Sequence, residues 1–217
     1  MRVLLFGVTG YTGGHVAREL IGRGHEVLGV ARSVADTAVP EGVIAVAANI
    51  FDEDAVAALA EDVDVIAVAV SPLSDDGPLT DAVPGLLAVA EQRGARLAMV
   101  GGASSLLRTP DGPRIFDDRF PEEWKPGAQV LIDTLEALRA SGTSASEHPV
   151  DWFVLSPAEN YGAHAPGERR DAYRTGTEVV VADADGRSFI GGEDFAMAFV
   201  DELENPTHHR MRFTVAY

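Results

Sequence analysis

The 217-residue sequence contains no cysteine, which excludes disulfides, zinc-thiolate sites, iron-sulfur clusters and thiol catalysis. Lysine is almost missing as well: sixteen of the seventeen basic residues are arginine, and Lys125 stands alone. Acids outnumber bases 34 to 17, leaving a formal net charge of -17. That balance opposes generic binding to nucleic acid or to an anionic membrane. No apolar run approaches the roughly eighteen residues of a membrane span. The chain enters its first apolar run with no basic leader or cleavage site, so a cytoplasmic location is expected. His15, His25, His148, His164 and the adjacent pair His208 and His209 have no partners at ligand spacing, and no metal is expected.

What is present gathers near the start. Residues 3–6 form a short apolar run of the kind a parallel strand covered on both faces shows. Gly7, Gly10 and Gly13 follow at once, and Val16, Leu20 and Ile21 then repeat at helical spacing. Gly22 and Gly24 stop that helix before a second apolar run over 26–30. Strand, turn, helix and strand within about thirty residues make one βαβ unit. The turn predicts anion binding. Gly7 permits a tight exit from the strand, Gly10 removes a side chain where a pyrophosphate would press, and Gly13 lets the helix pack closely on the sheet. The helix start offers free amides and the positive end of its dipole to a phosphate. Thr9, Tyr11 and Thr12 share this loop. The spacing is Gly-x-x-Gly-x-x-Gly, one residue longer in its first interval than the usual dinucleotide fingerprint, in the strand-turn-helix context that the fingerprint demands.

Further along, strands are expected over 43–47, 63–70, 96–100, 151–155, 178–182 and 212–216. Helices are expected over 53–60 with Asp52 as N-cap, 79–92 with Pro84 either in its first turns or marking a later start, 128–140 and 194–203. The stretch 106–127, rich in proline and charge, reads as an excursion over the C-terminal edge of the sheet, and 160–177 as a polar, glycine-bearing loop. The alternation predicts an α/β fold, a doubly wound parallel sheet of the NAD(P)-binding Rossmann class. One domain over 1–217 fits the length, with a cofactor core over about 1–157 and a smaller acceptor-side region over about 158–217. In such a sheet, ligands sit beyond the carboxyl ends of the strands at the switch point.

Arg32 ends the second strand, about twenty residues past the turn, where an acid would bind the adenosine ribose hydroxyls. The chain reads Val30-Ala31-Arg32-Ser33 with no acid until Asp36, which favours the 2′-phosphate of NADP over NAD. The alternative is an ordinary surface arginine, or one that stacks on adenine. Asn49, Ile50 and Phe51 either bracket an adenine or form a helix-capping turn with Phe51 in the core. Val70 and Ser71, before Pro72, pass under the ribose and nicotinamide. Ser104, beside Ser105, is the catalytic candidate: its hydroxyl could hydrogen-bond a substrate carbonyl, or simply belong to a glycine-serine turn. Pro157 shapes the loop at the nicotinamide end, and Tyr161 and Tyr173 are lid aromatics or loop packing.

With Gly7-Val8-Thr9-Gly10-Tyr11-Thr12-Gly13 and Arg32 in place, the chain resembles the atypical short-chain dehydrogenase/reductase group. More narrowly it resembles the small NAD(P)H-binding proteins of the NADH-flavin reductase type, with NmrA-like relatives. The narrower resemblance rests on Val100-Gly101-Gly102-Ala103-Ser104-Ser105-Leu106, on Asp151-Trp152-Phe153-Val154-Leu155-Ser156-Pro157-Ala158 and on Pro166-Gly167-Glu168-Arg169. The tail adds Arg187-Ser188-Phe189-Ile190, Glu193-Asp194-Phe195-Ala196 and Asp201-Glu202-Leu203-Glu204-Asn205-Pro206. The chain departs from the group at one point. Many members use a Tyr-x-x-x-Lys pair, whose lysine lowers the tyrosine pKa for proton exchange with an alcohol. Here Lys125 has Pro121 four residues earlier, and no other tyrosine has a lysine in range.

The resemblance therefore implies an NAD(P)H-dependent oxidoreductase that passes hydride to a flavin, quinone or similar conjugated acceptor, whose reduced form can take its proton from water. NADP is the expected cofactor with NAD as the alternative, and a flavin would be a substrate rather than a bound cofactor. The expected partner is a small-molecule electron acceptor, with the chain a monomer or homodimer. Two other readings stand behind it. One is an NmrA-like NADP-sensing regulator without turnover; the other is a sugar-nucleotide epimerase or dehydratase, weakened by the absent Tyr-Lys pair and the short C-terminal region.

Overall fold

The structure, a computed structural model, describes residues 1–34, 39–141 and 149–217; Asp36 and His148 lie outside them. The elements run β1 (Arg2–Phe6), α1 (Tyr11–Gly22), β2 (Glu26–Ala31), β3 (Ile44–Ala47), α2 (Glu53–Leu59) and β4 (Val65–Val68). A small hairpin of β5 (Leu73–Ser74) and β6 (Gly77–Pro78) precedes α3 (Val83–Arg93) and β7 (Arg96–Val100). Then come α4 (Lys125–Ser141), β8 (Trp152–Ser156), β9 (Arg174–Gly176), α5 (Gly192–Glu204) and β10 (Met211–Ala216).

The main sheet has the order β3-β2-β1-β4-β7-β8-β10-β9, and every pairing is parallel except β9 against β10. Side chains of a strand alternate between faces, so the two halves of the core can be read from β1 alone. Val3 and Leu5 pack with Val16, Ala17 and Leu20 of α1 and with Phe195 and Phe199 of α5. Leu4 and Phe6 pack with Val56 of α2, Leu86 of α3 and Leu135 of α4. Both faces of the sheet are covered, which explains the unbroken apolar runs. The chain leaves β1 for β2 on one side and returns to β4 on the other, so the switch point lies beyond the carboxyl ends of β1 and β4.

Asp52 caps α2 as expected, its carboxylate accepting the Ala55 N–H at 3.0 Å. Pro84 sits in the first turn of α3, after a 3₁₀ turn over Leu79–Ala82. Three expectations need correction. The helix placed over 128–140 starts at Lys125, because Pro126 falls in a first turn that needs no N–H from it. The segment 178–182 is not a sheet strand. Its backbone pairs with the Leu107 loop instead, through Leu107 N–H to Glu178 O at 2.8 Å and Val180 N–H to Leu107 O at 2.9 Å. The strand of this region is β9, inside the stretch read as a loop. As an antiparallel edge strand of Arg-Thr-Gly it carries no apolar pattern.

Candidate cofactor and acceptor site

The glycine turn has the shape that its spacing predicts. Gly7 has φ +87°, and a Cβ there would lie 2.2 Å from the Ala69 carbonyl oxygen on the neighbouring strand exit. A Cβ on Gly13 would lie 2.1 Å from the Gly7 carbonyl oxygen, so the helix can approach the turn only with glycine at that position. Gly10 caps α1 with extended backbone and no side-chain hydrogen bond, and the first turn of the helix holds no acid. The helix start is thus open to an anion.

A cavity of about 200 Å³ lies beyond the carboxyl ends of β1, β2 and β4. Gly7, Thr9, Gly10, Arg32, Asn49, Ile50, Phe51, Val70 and Ser71 all line it. Asn49 Oδ1 accepts the Phe51 N–H at 3.2 Å in the turn before α2, and the half-buried Phe51 packs against the core while forming cavity wall. Arg32 is exposed, and among the described residues no carboxylate is paired with it. Ser33 is exposed beside it and does not line the cavity. The Ser71 hydroxyl donates to the Leu73 carbonyl at 3.0 Å, closing the loop that leads into the small hairpin.

Sequence reasoning passed over Arg18. Its guanidinium folds back toward the start of α1, 3.6 Å from where a Gly14 Cβ would stand, and lines a recess with Thr9, Gly10 and His15. A helical side chain leans toward the N-terminus, so an arginine one turn beyond a small residue is the signal that could have found it. Arg18 and Arg32 together put two cations beside the turn in a strongly acidic chain.

Tyr11 and Thr12 turn their side chains away from the cavity. Tyr11 Oη donates to the Pro166 carbonyl at 3.1 Å, and Thr12 Oγ1 meets Tyr161 Oη at 2.9 Å. Arg169 reaches Glu19 of α1 at 2.7 Å, and the buried Asp194 carboxylate accepts the N–H groups of Arg170 and Asp171 at 2.8 and 2.9 Å. These bonds stitch the segment after β8 onto α1 and α5. Tyr173 belongs to the same packing and not to a lid, with its hydroxyl on Asp201 at 2.6 Å.

The segment forms one wall of a second, more open cleft of about 590 Å³, which shares Ser71 with the first cavity. Ser104, Pro157 and Tyr161 line it, with Phe120, Trp124 and His164 opposite or at its mouth. The Ser104 hydroxyl is buried and has no hydrogen-bond partner among the described residues. Buried hydroxyls are generally paired with protein or water, so this one is free to take a partner that enters the cleft. Its neighbour Ser105 is engaged otherwise, accepting from the buried Arg212 at 3.0 Å, and Arg212 is in turn paired with Glu178. The phenols beside the cleft are held in their protonated form at neutral pH. Burial pushes Tyr161 well above its ordinary value, only partly offset by Thr12, and burial likewise raises Tyr11.

The profile of the NAD(P)H-binding family matches residues 7–206. Protein YwnB of Bacillus subtilis is 31% identical over 222 residues, covering 99% of this chain and 98% of that protein. A crystal structure from Bacteroides thetaiotaomicron, described as a "putative epimerase", is 31% identical at a TM-score of 0.86, covering 100% of this chain and 96% of that one. One from Streptococcus pneumoniae, described as a "putative NADH-flavin reductase", is 26% identical at a TM-score of 0.83, covering 100% and 99%. The open helix start, the glycine packing and the match over nearly the whole chain agree: this protein belongs to the NAD(P)H-binding family.

Proposed function

We propose that the protein is an NADPH-preferring reductase that delivers hydride to a conjugated acceptor such as a flavin or quinone. One observation carries this reading: the glycine-turn cavity and the aromatic-walled cleft adjoin at Ser71, so a dinucleotide on the turn has room for a second reactant beside its far end. When bound, the dinucleotide supplies the hydride: NADPH and the acceptor become NADP⁺ and the reduced acceptor, which takes its proton from water.

The chain's own contribution is binding and orientation. The α1 amides and dipole would hold the pyrophosphate, with Gly10 leaving it room, and Arg32 would take the adenosine 2′-phosphate. Pro157 and Tyr161 shape the wall against which the nicotinamide end rests. Ser104 gives its unpartnered hydroxyl to an acceptor carbonyl oxygen, fixing the acceptor at contact distance. No acid is needed to protonate an alkoxide, which agrees with a raised Tyr161 and a lysine absent from every tyrosine motif.

Anaerobic stopped-flow mixing of protein and NADPH with riboflavin, FMN or a quinone tests the proposal. NADPH oxidation above the uncatalysed background is expected, and none with any acceptor would sink it. A second reading, an NADP sensor without turnover, is favoured by the absence of a Tyr-x-x-x-Lys pair from the sequence. It predicts tight NADP binding that depends on redox state while NADPH persists.

A further inference from the structure

We propose that the acceptor is an uncharged planar ring system, and that the cleft discriminates against the same ring carrying a phosphate. This inference rests on the reductase reading for its setting, but concerns recognition alone. Three rings of the cleft lining, Phe120, Trp124 and His164, belong to a ladder that Phe116 continues behind the wall. Phe116 and Phe120 lie 5.8 Å apart, Phe120 and Trp124 6.4 Å, and Trp124 and His164 6.2 Å. Trp124 is 57% exposed, the most exposed of the large ring side chains, although the rest of the ladder holds it at the cleft mouth. An indole kept exposed beside an apolar recess offers a ring surface on which a flat conjugated partner can stack.

The charges point to what that partner lacks. No lysine or arginine is among the lining residues, and the two charged side chains that line the cleft are Glu123 and Glu159. Two cations of the neighbouring segments are already matched. Arg108 is held between Glu159 at 2.7 Å and Asp118 at 3.1 Å, and Lys125 lies against Glu122 and over the Phe116 ring. A phosphate on the acceptor would enter against Glu123, beside the already paired Glu159, in a chain of net charge -17 and with no cation among the lining residues to receive it. The contrast with the glycine turn is sharp, since the two arginines there serve the end of the site that must hold phosphates.

The test uses flavin fluorescence with the full-length protein loaded with NADP⁺, which cannot reduce the flavin, so that binding is read without turnover. Riboflavin and FMN share one ring system and differ by the phosphate. Riboflavin should bind more tightly, by on the order of tenfold at low salt, and the gap should shrink as ionic strength rises. Glu123→Lys should narrow or reverse the gap by tightening FMN, leaving riboflavin nearly unchanged. Trp124→Ala should weaken both flavins together. An uncharged quinone competing with riboflavin would identify the shared ring chemistry as the feature recognised. FMN binding as tightly as riboflavin, or riboflavin not binding at all, overturns the proposal. Discrimination in binding without any NADPH oxidation would remove the reductase reading and leave this one standing. Turnover without discrimination would do the reverse.

Discussion

Thr12 and Tyr161 meet hydroxyl to hydroxyl at 2.9 Å, across 149 positions of sequence, and so tie the start of α1 to the wall of the acceptor cleft. The bond fixes two things at once. It turns the Thr12 side chain away from the glycine-turn cavity, and it keeps Tyr161 as a packed, neutral phenol. Tyr161→Phe should therefore lose about 1 kcal/mol of stability while keeping turnover within a few-fold, with an unchanged pH profile through the neutral range. A loss of kcat on the order of a hundredfold, with a new pH dependence, would make Tyr161 a proton donor and refute this role.

Gly13→Ala tests the turn. Its Cβ would stand 2.1 Å from a backbone oxygen that cannot swing aside, so we expect a loss of about 1–3 kcal/mol and a clear drop in dinucleotide affinity. Gly22→Ala, at the end of the same helix, is the control. Nothing lies within 4 Å of its Cβ, and it should stabilise by about 0.5–1 kcal/mol. Chemical denaturation and calorimetric NADPH titration of the two variants separate packing from helix propensity.

Arg32→Glu should lower NADPH affinity on the order of a hundredfold and leave NADH affinity nearly unchanged, because only the former carries the 2′-phosphate. Equal losses for the two nucleotides would mean that Arg32 stacks or merely faces solvent. The recess beside Arg18 would then become the place to seek the phosphate.

Glu202 lies near the opposite end of the sheet from the site, close to the starts of β7 and β10. Burial alone would raise its carboxyl pKa, but hydrogen bonds from His208, Arg96 and Thr207 outweigh it and hold the value at about 2. A carboxyl depressed on folding stabilises above its unfolded pKa, and that contribution fades as pH falls from 4.5 toward 2. Glu202→Gln should cost about 3 kcal/mol at neutral pH, approach parity with the parent near the low end of that window, and leave activity per folded molecule intact. Denaturation midpoints across the acid range check both the size and the sign.

The parts legible in the sequence were those with local causes. The β1-turn-α1-β2 unit follows from apolar runs and glycine spacing, and the cavity residues from Gly7 to Ser71 follow from where strands must end. What stayed hidden was set by distant partners. The bond between Thr12 and Tyr161, the backbone pairing of Glu178 with Leu107 and the ring ladder from Phe116 to His164 join stretches that share no local pattern. Edge strand β9 was hidden for another reason: with only three polar or glycine residues it buries no apolar face.

The reductase reading turns on whether hydride leaves the dinucleotide, and a single anaerobic turnover with NADPH deuterated at the nicotinamide C4 measures that directly. In the presence of riboflavin or a quinone, the account predicts one reduced acceptor per NADPH consumed and a primary isotope effect from one of the two C4 positions. Tight NADPH binding with no acceptor reduced, or reduction with no isotope effect from either position under conditions where chemistry limits the rate, would contradict it.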